Sequence, residues 1–128
     1  MAFAGNNKKK LVLFASGNGT NVESILNYFK NNNRVSFLKV FTNNSKAMVL
    51  KKIAPFAIKS RCFNSIELKE DSIFNELKLL NPDLIVLAGF LLKIPTSMIN
   101  YFQNKIINIH PALLPNYGGK GMYGINVH

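Results

Sequence analysis

"KLVLFASGNGTNVESILNYFK", residues 10–30, holds two different hydrophobic periods side by side. Leu11 to Ala15 is an uninterrupted apolar run of strand length. A strand wetted on one face alternates apolar with polar residues, so an unbroken run suits a strand covered on both faces. Beyond Ser16–Asn21, residues Val22, Ile25, Leu26 and Phe29 fall at i, i+3, i+4 and i+7, one apolar stripe of a helix. Thr20 and Glu23 stand at capping-box spacing and are expected to start that helix. The asparagines at 31–33 end it.

The rest of the chain repeats this alternation. "RVSFLKVFTNN" (34–44) reads as a second strand over Val35 to Thr42. "SKAMVLKKIAPF" (45–56) offers Ser45 as the N-cap of a helix that Pro55 stops. A brief strand is expected near Ala57–Ser60. One helix follows within Ser65–Leu80, with Ile73, Phe74, Leu77 and Leu80 on one face and Pro82 closing it. "DLIVLAGF" (83–90) is the clearest buried strand, "IPTSMINYF" (94–102) a short helix and "KIINIH" (105–110) a fifth strand. The pattern predicts an α/β fold, a Rossmann-like open parallel sheet flanked by helices. Such sheets bind ligands beyond the carboxyl ends of their strands, where the strand order reverses. The tail "NYGGKGMYGINVH" (116–128) shows no element, so the fold is expected to lack its C-terminal part. Residues 1–9 read as a disordered lead, and 10–128 as one domain.

Composition narrows the classes. At 128 residues and 48% hydrophobic, the chain suits one globular domain and not a disordered one. Sixteen Lys and Arg against six Asp and Glu give a net charge of +10. That favours anionic partners, or else a lysine-rich bias spread over a solvated surface. Cys62 is the single cysteine, so no intramolecular disulfide is possible, which suits a reducing, cytoplasmic setting. No apolar run approaches a membrane span, and "MAFAGNNKKK" lacks the order of a secretory signal.

Three stretches carry candidate chemistry. In "SGNGTN" (16–21), glycines lie between a strand and a helix, where free N–H groups and the helix dipole favour an anion. A third glycine of the dinucleotide fingerprint would fall at Val22, and the second strand ends without an acidic residue. A single phosphomonoester therefore fits better than a dinucleotide, and a plain strand-to-helix turn is the other reading. In "IINIHPALLPN" (106–116), Asn108 and His110 share one strand face, and Ile107 and Ile109 the other. An amide donor beside an imidazole suits oxyanion stabilisation and proton transfer. Spacing alone slightly favours a structural Asn–His pair capping the strand, since most histidines are not catalytic. In "AGFLLKI" (88–94), Gly89 lets a ligand approach the backbone or simply makes a turn. The only histidines are His110 and His128, and no metal ligand set is expected.

"SGNGTN", "DLIVLAGF" and "NIHPALLP", in this order, resemble the glycinamide ribonucleotide transformylases, over residues 10 to about 120. The resemblance implies formyl transfer from 10-formyltetrahydrofolate to the amine of glycinamide ribonucleotide, without a metal. It places Gly19, Thr20 and Asn21 on the substrate phosphate. Leu91, Leu92, Lys93 and Ile94 would line the folate pterin pocket, and Asn108 and His110 would form the catalytic pair. It further implies a cytoplasmic monomer or weak homodimer that uses neither nucleic acid nor membrane. The family's downstream catalytic aspartate has no counterpart here, so the 128 residues alone are expected to be inactive. The alternatives are methionyl-tRNA formyltransferase, formyltetrahydrofolate deformylase, or a catalytically incomplete anion-binding domain.

Overall fold

The apolar run at Leu11–Ala15 becomes the centre of a sheet. A computed structural model of the protein describes residues 8–109 and 125–127. Strand β1 (Lys9–Ala15) hydrogen-bonds to β2 (Val35–Thr42) on one side and to β4 (Leu84–Ala88) on the other, both parallel. Strand β3 (Ser60–Cys62) extends the sheet beyond β2, and β5 (Ile106–Ile109) extends it beyond β4. A short strand β6 (Ile125–Val127) pairs antiparallel with β5. The strand order is β3-β2-β1-β4-β5-β6, that of a doubly wound nucleotide-binding sheet with its crevice between β1 and β4. The chain runs outward from β1 through β2 to β3, then crosses to the other side.

Among the described residues, five α-helices lie between the strands: α1 (Thr20–Phe29), α2 (Val49–Ile53), α3 (Ser65–Lys69), α4 (Ser72–Leu80) and α5 (Thr96–Tyr101). Because side chains alternate across a strand, the continuous apolar runs feed two cores. Leu11, Leu13 and Ala15 meet Val22 and Leu26 of α1 and Val49 of α2. Val12 and Phe14, on the other face, meet Ile73 and Leu77 of α4 and Met98 of α5. Phe14 stacks on Phe41 at 4.8 Å between centroids and takes the edges of Phe63 and Phe90. At the opposite end of the sheet, the Asp83 carboxylate accepts from Lys10 N–H while Asp83 N–H donates to the Lys10 carbonyl. These two bonds fix the register of β1 against β4.

Several local expectations are corrected. The single helix expected within 65–80 is two, because Glu70 is extended between them. The signal for the first is Asn64-x-x-Glu67, a complete capping box. Ser45 is no N-cap: the Asn44 side chain closes a turn there first, and α2 starts behind Met48. Pro55 does not end that helix abruptly. It sits in the first turn of a 3-10 continuation (Ala54–Phe56), where its missing N–H costs nothing. Ala57 then takes a left-handed conformation, which moves the third strand two to three residues later than expected. Strand β6 lies within the tail read as having no element, and it makes the sheet mixed rather than purely parallel.

One charged cluster ties the helices to the sheet. Glu76 of α4 accepts from Lys39 of β2 and Arg61 of β3, both at 2.6 Å, and Arg61 also donates to Glu67 and Ser72. Burial pushes the Glu76 carboxyl up, but the hydrogen bonds and charges of Lys39 and Arg61 outweigh it and hold the group below its ordinary range. The stability this confers is full above the usual glutamate range and is lost as pH falls through the lowered value. Glu76→Gln is expected to cost roughly 1–3 kcal/mol at neutral pH and to flatten the acid limb of the stability profile. Urea titrations across pH check this, and an unchanged acid limb would refute it.

Candidate functional site

The carboxyl ends of β1 and β4 open on a cleft of about 270 Å³, lined by residues 17–21 with Ala88, Gly89 and Leu91. The loop after β1 is set by Gly19, with φ of 77°. A Cβ there would lie 2.6 Å from Val49, so only glycine lets α2 pack against the loop. Gly17 carries neither constraint, having open space where a Cβ would stand and no left-handed backbone. Val49 N–H also donates to the Gly17 carbonyl at 3.4 Å.

Helix α1 does not start with the expected capping box. Gly19 is its N-cap and supplies no side chain, and Thr20 is the first helical residue. The side-chain oxygen of Asn18 takes over, accepting from Thr20 N–H and from the Thr20 hydroxyl, both at 3.0 Å. An acceptor oxygen already lies over the helix N-terminus, where an anion's oxygen would be held. The Lys52 ammonium of α2 approaches the Thr20 hydroxyl at 3.4 Å and the Glu23 carboxylate at 4.0 Å. Asn21 lines the cleft, and its buried Nδ2 has no hydrogen-bond partner among the described residues.

A second cleft, of about 230 Å³, lies one strand over and is lined by Leu87, Phe90, Leu92, Lys93, Ile94, Ile99 and Asn108. Asn108 reaches it because Ile107 and Ile109 pack into the opposite core. In the ladder Asn108 stands between Leu87 and Asn126. Leu92, Lys93 and Ile94 are therefore brought together with Asn108, whereas Leu91 lines the first cleft and is 83% exposed. Gly89, with φ of 74°, makes the turn between the two. His110 lies outside the described residues.

The link between the clefts was not legible in the sequence. Ser16, 6% exposed, donates its hydroxyl to Asn43 Oδ1 at 2.6 Å and accepts from Leu91 N–H at 2.8 Å. Its own N–H donates to the Gly89 carbonyl. One buried serine thus joins the ends of β1, β2 and β4. A larger hollow, about 510 Å³, lies by Lys8, Lys30 and Val35 at the amino ends of β1 and β2. We discount it as the site because parallel sheets bind ligands at the other end.

The sequence pattern that defines the formyl transferase family matches residues 9–128. The chain belongs to that family. It is 31% identical over 115 residues to the phosphoribosylglycinamide formyltransferase of Escherichia coli (strain K12), covering 85% of this chain and 54% of that one. With the Bacillus subtilis (strain 168) enzyme of the same name it shares 38% over 117 residues, covering 87% and 60%. The crystal structure of phosphoribosylglycinamide formyltransferase from Brucella melitensis superposes with a TM-score of 0.75 at 31% identity, over 88% of this chain and 62% of that one. The chain thus spans little more than half the length of these relatives. The superposition bears out the expected Rossmann-like α/β sheet, with β1 to β5 parallel.

Ser16→Ala would leave the Leu91 N–H and the Asn43 amide without their buried partner. A loss of about 1–3 kcal/mol is expected, measured by chemical denaturation. A loss within error of zero would show that the three loops hold together without the hydroxyl.

Proposed function

We propose that the protein transfers a formyl group from 10-formyltetrahydrofolate to the amine of glycinamide ribonucleotide, as a cytoplasmic enzyme of purine biosynthesis. The observation that carries this is the meeting, along one sheet edge, of the glycine loop after β1, residues 88–94 after β4 and Asn108 on β5. The family match supports the formyl group as the unit transferred. The "SGNGTN" loop favours a phosphorylated small substrate over a transfer RNA.

In this reading Gly19, Thr20 and Asn21 hold the ribonucleotide phosphate at the start of α1. Thr20 N–H would then exchange the Asn18 oxygen for a phosphate oxygen. Leu92, Lys93 and Ile94 line the pterin side, with Phe90 as the aromatic floor, and Leu91 sits between the two ligands. The amine lone pair attacks the formyl carbon, and the carbonyl pair moves onto oxygen. Asn108 donates to that oxyanion, and protonated His110 stabilises it. The tetrahedral adduct collapses by re-forming the carbonyl and breaking the bond to N10 of the folate. The proton lost by the amine ends on that nitrogen, with His110 relaying it. No step calls for a metal.

Removing one oxyanion donor typically costs about 10²–10³ in turnover. In a catalytically competent full-length protein, Asn108→Ala should lose that much, and His110→Ala at least as much, as measured by production of tetrahydrofolate. Binding of ribose 5-phosphate should be unchanged in both variants. Near-normal turnover in either would remove that residue from the mechanism. Turnover with methionyl-tRNA but none with glycinamide ribonucleotide would overturn the substrate assignment.

A further inference from the structure

We infer that Lys52 is the mobile cation of the phosphate site, parked on Glu23 and Thr20 until an anion draws it over. This rests on the phosphate reading given above, and adds to it a residue that belongs to neither the glycine loop nor α1. A phosphomonoester carries close to two negative charges near neutral pH, since its second pKa is about 6. None of the residues lining the first cleft is charged. Helix N–H groups and the dipole supply only a fraction of a positive charge. The unpartnered Nδ2 of Asn21 points to an acceptor-bearing ligand but likewise adds no charge. Among the described residues, the cation that reaches this rim is Lys52.

Its position is built, not incidental. Val49 fills the space a side chain at Gly19 would occupy, which seats α2 against the loop. Lys52 stands three residues on from Val49, one turn along the same side of the helix. Lys51, its neighbour in sequence, is exposed, whereas the Lys52 side chain is 27% exposed and directed at α1. Its contacts there are loose. The hydroxyl lies at 3.4 Å and the carboxylate at 4.0 Å, both longer than a good charge-assisted hydrogen bond. A phosphate held by Thr20 would be one contact from the ammonium and would offer it a better acceptor.

Glu23 then has two opposed effects. In the first turn of α1 it suits the helix dipole, but it repels the anion that the same turn would bind. Lys52 neutralises it in the free protein, and the phosphate competes for the same ammonium. Lys52 and Glu23 are therefore expected to affect anion affinity in opposite directions. A plain ion pair between α1 and α2 would instead lower stability when either partner is lost and leave affinity alone.

The test is to titrate inorganic phosphate, and separately ribose 5-phosphate, into the full chain at low ionic strength while following the amide resonances of Gly19, Thr20 and Asn21. Lys52→Gln is expected to weaken binding roughly tenfold, about the size of one hydrogen bond to a charged group. Lys52→Arg should retain most of the affinity. Glu23→Gln should tighten binding by roughly threefold, the scale of a partly exposed charge pair. Wild-type binding that is unaltered in both Lys52→Gln and Glu23→Gln would overturn the role of Lys52 and leave the phosphate loop standing. No saturable shift in the wild type would overturn the phosphate reading and this inference together.

Discussion

Position 19 has no room for a side chain. The left-handed backbone there and the contact with Val49 are two sides of one constraint, since the turn that frees the first N–H groups of α1 also lets α2 lie against them. Without that closeness, α2 would stand off the sheet edge and the loop would lose its floor. The rest of this corner follows: the Asn18 oxygen over Thr20, the Gly17 carbonyl on Val49, and Lys52 within reach of α1. A conformational requirement of one residue therefore sets the charge environment of a site built from two helices.

The second organising feature is the strict alternation of the central strands. Leu11, Leu13 and Ala15 belong to one core, and Val12 and Phe14 to the other, so β1 leaves no face open to water. Ligands can meet such a sheet only at its rim. The same alternation on β5 sends the two isoleucines one way and the Asn108 side chain the other, into the cleft floored by Phe90. Ser16 then spaces the two clefts by bonding to groups from β2 and from the turn after β4. A three-point anchor on one buried serine holds the ends of β1, β2 and β4 at a fixed separation.

What was legible in the sequence was whatever depends on repetition. The runs at 11–15 and 84–88 and the stripe at 22, 25, 26 and 29 gave strands and helix in the right places, because burial on two faces or one writes itself into composition. Boundaries set by a single side chain were misread. Thr20 has the spacing of a cap, yet its hydroxyl donates to Asn18, which stands closer to the turn. Glu70 breaks a helix that its neighbours favour, since Asn64 and Asp71 each start a helix of their own. Of the residues that line or join the two clefts, those in motifs could be named from the sequence, and those brought in across distance could not. Ser16 was visible as part of a motif, but its bond to Leu91 spans 75 positions. Lys52 is one of sixteen cations, and nothing local distinguishes it from Lys51.

The antiparallel edge strand carries a topological consequence. Parallel strands send the chain away to the far end of the sheet before it returns, whereas β6 runs back along β5, with Ile125 opposite Ile109. The chain thus leaves and re-enters the sheet at one rung, and that rung lies at the carboxyl end, above Asn108. The pairing of Ile109 with Ile125 offsets the entropy of bringing two separate stretches of chain side by side, so that cost does not fall on a ligand.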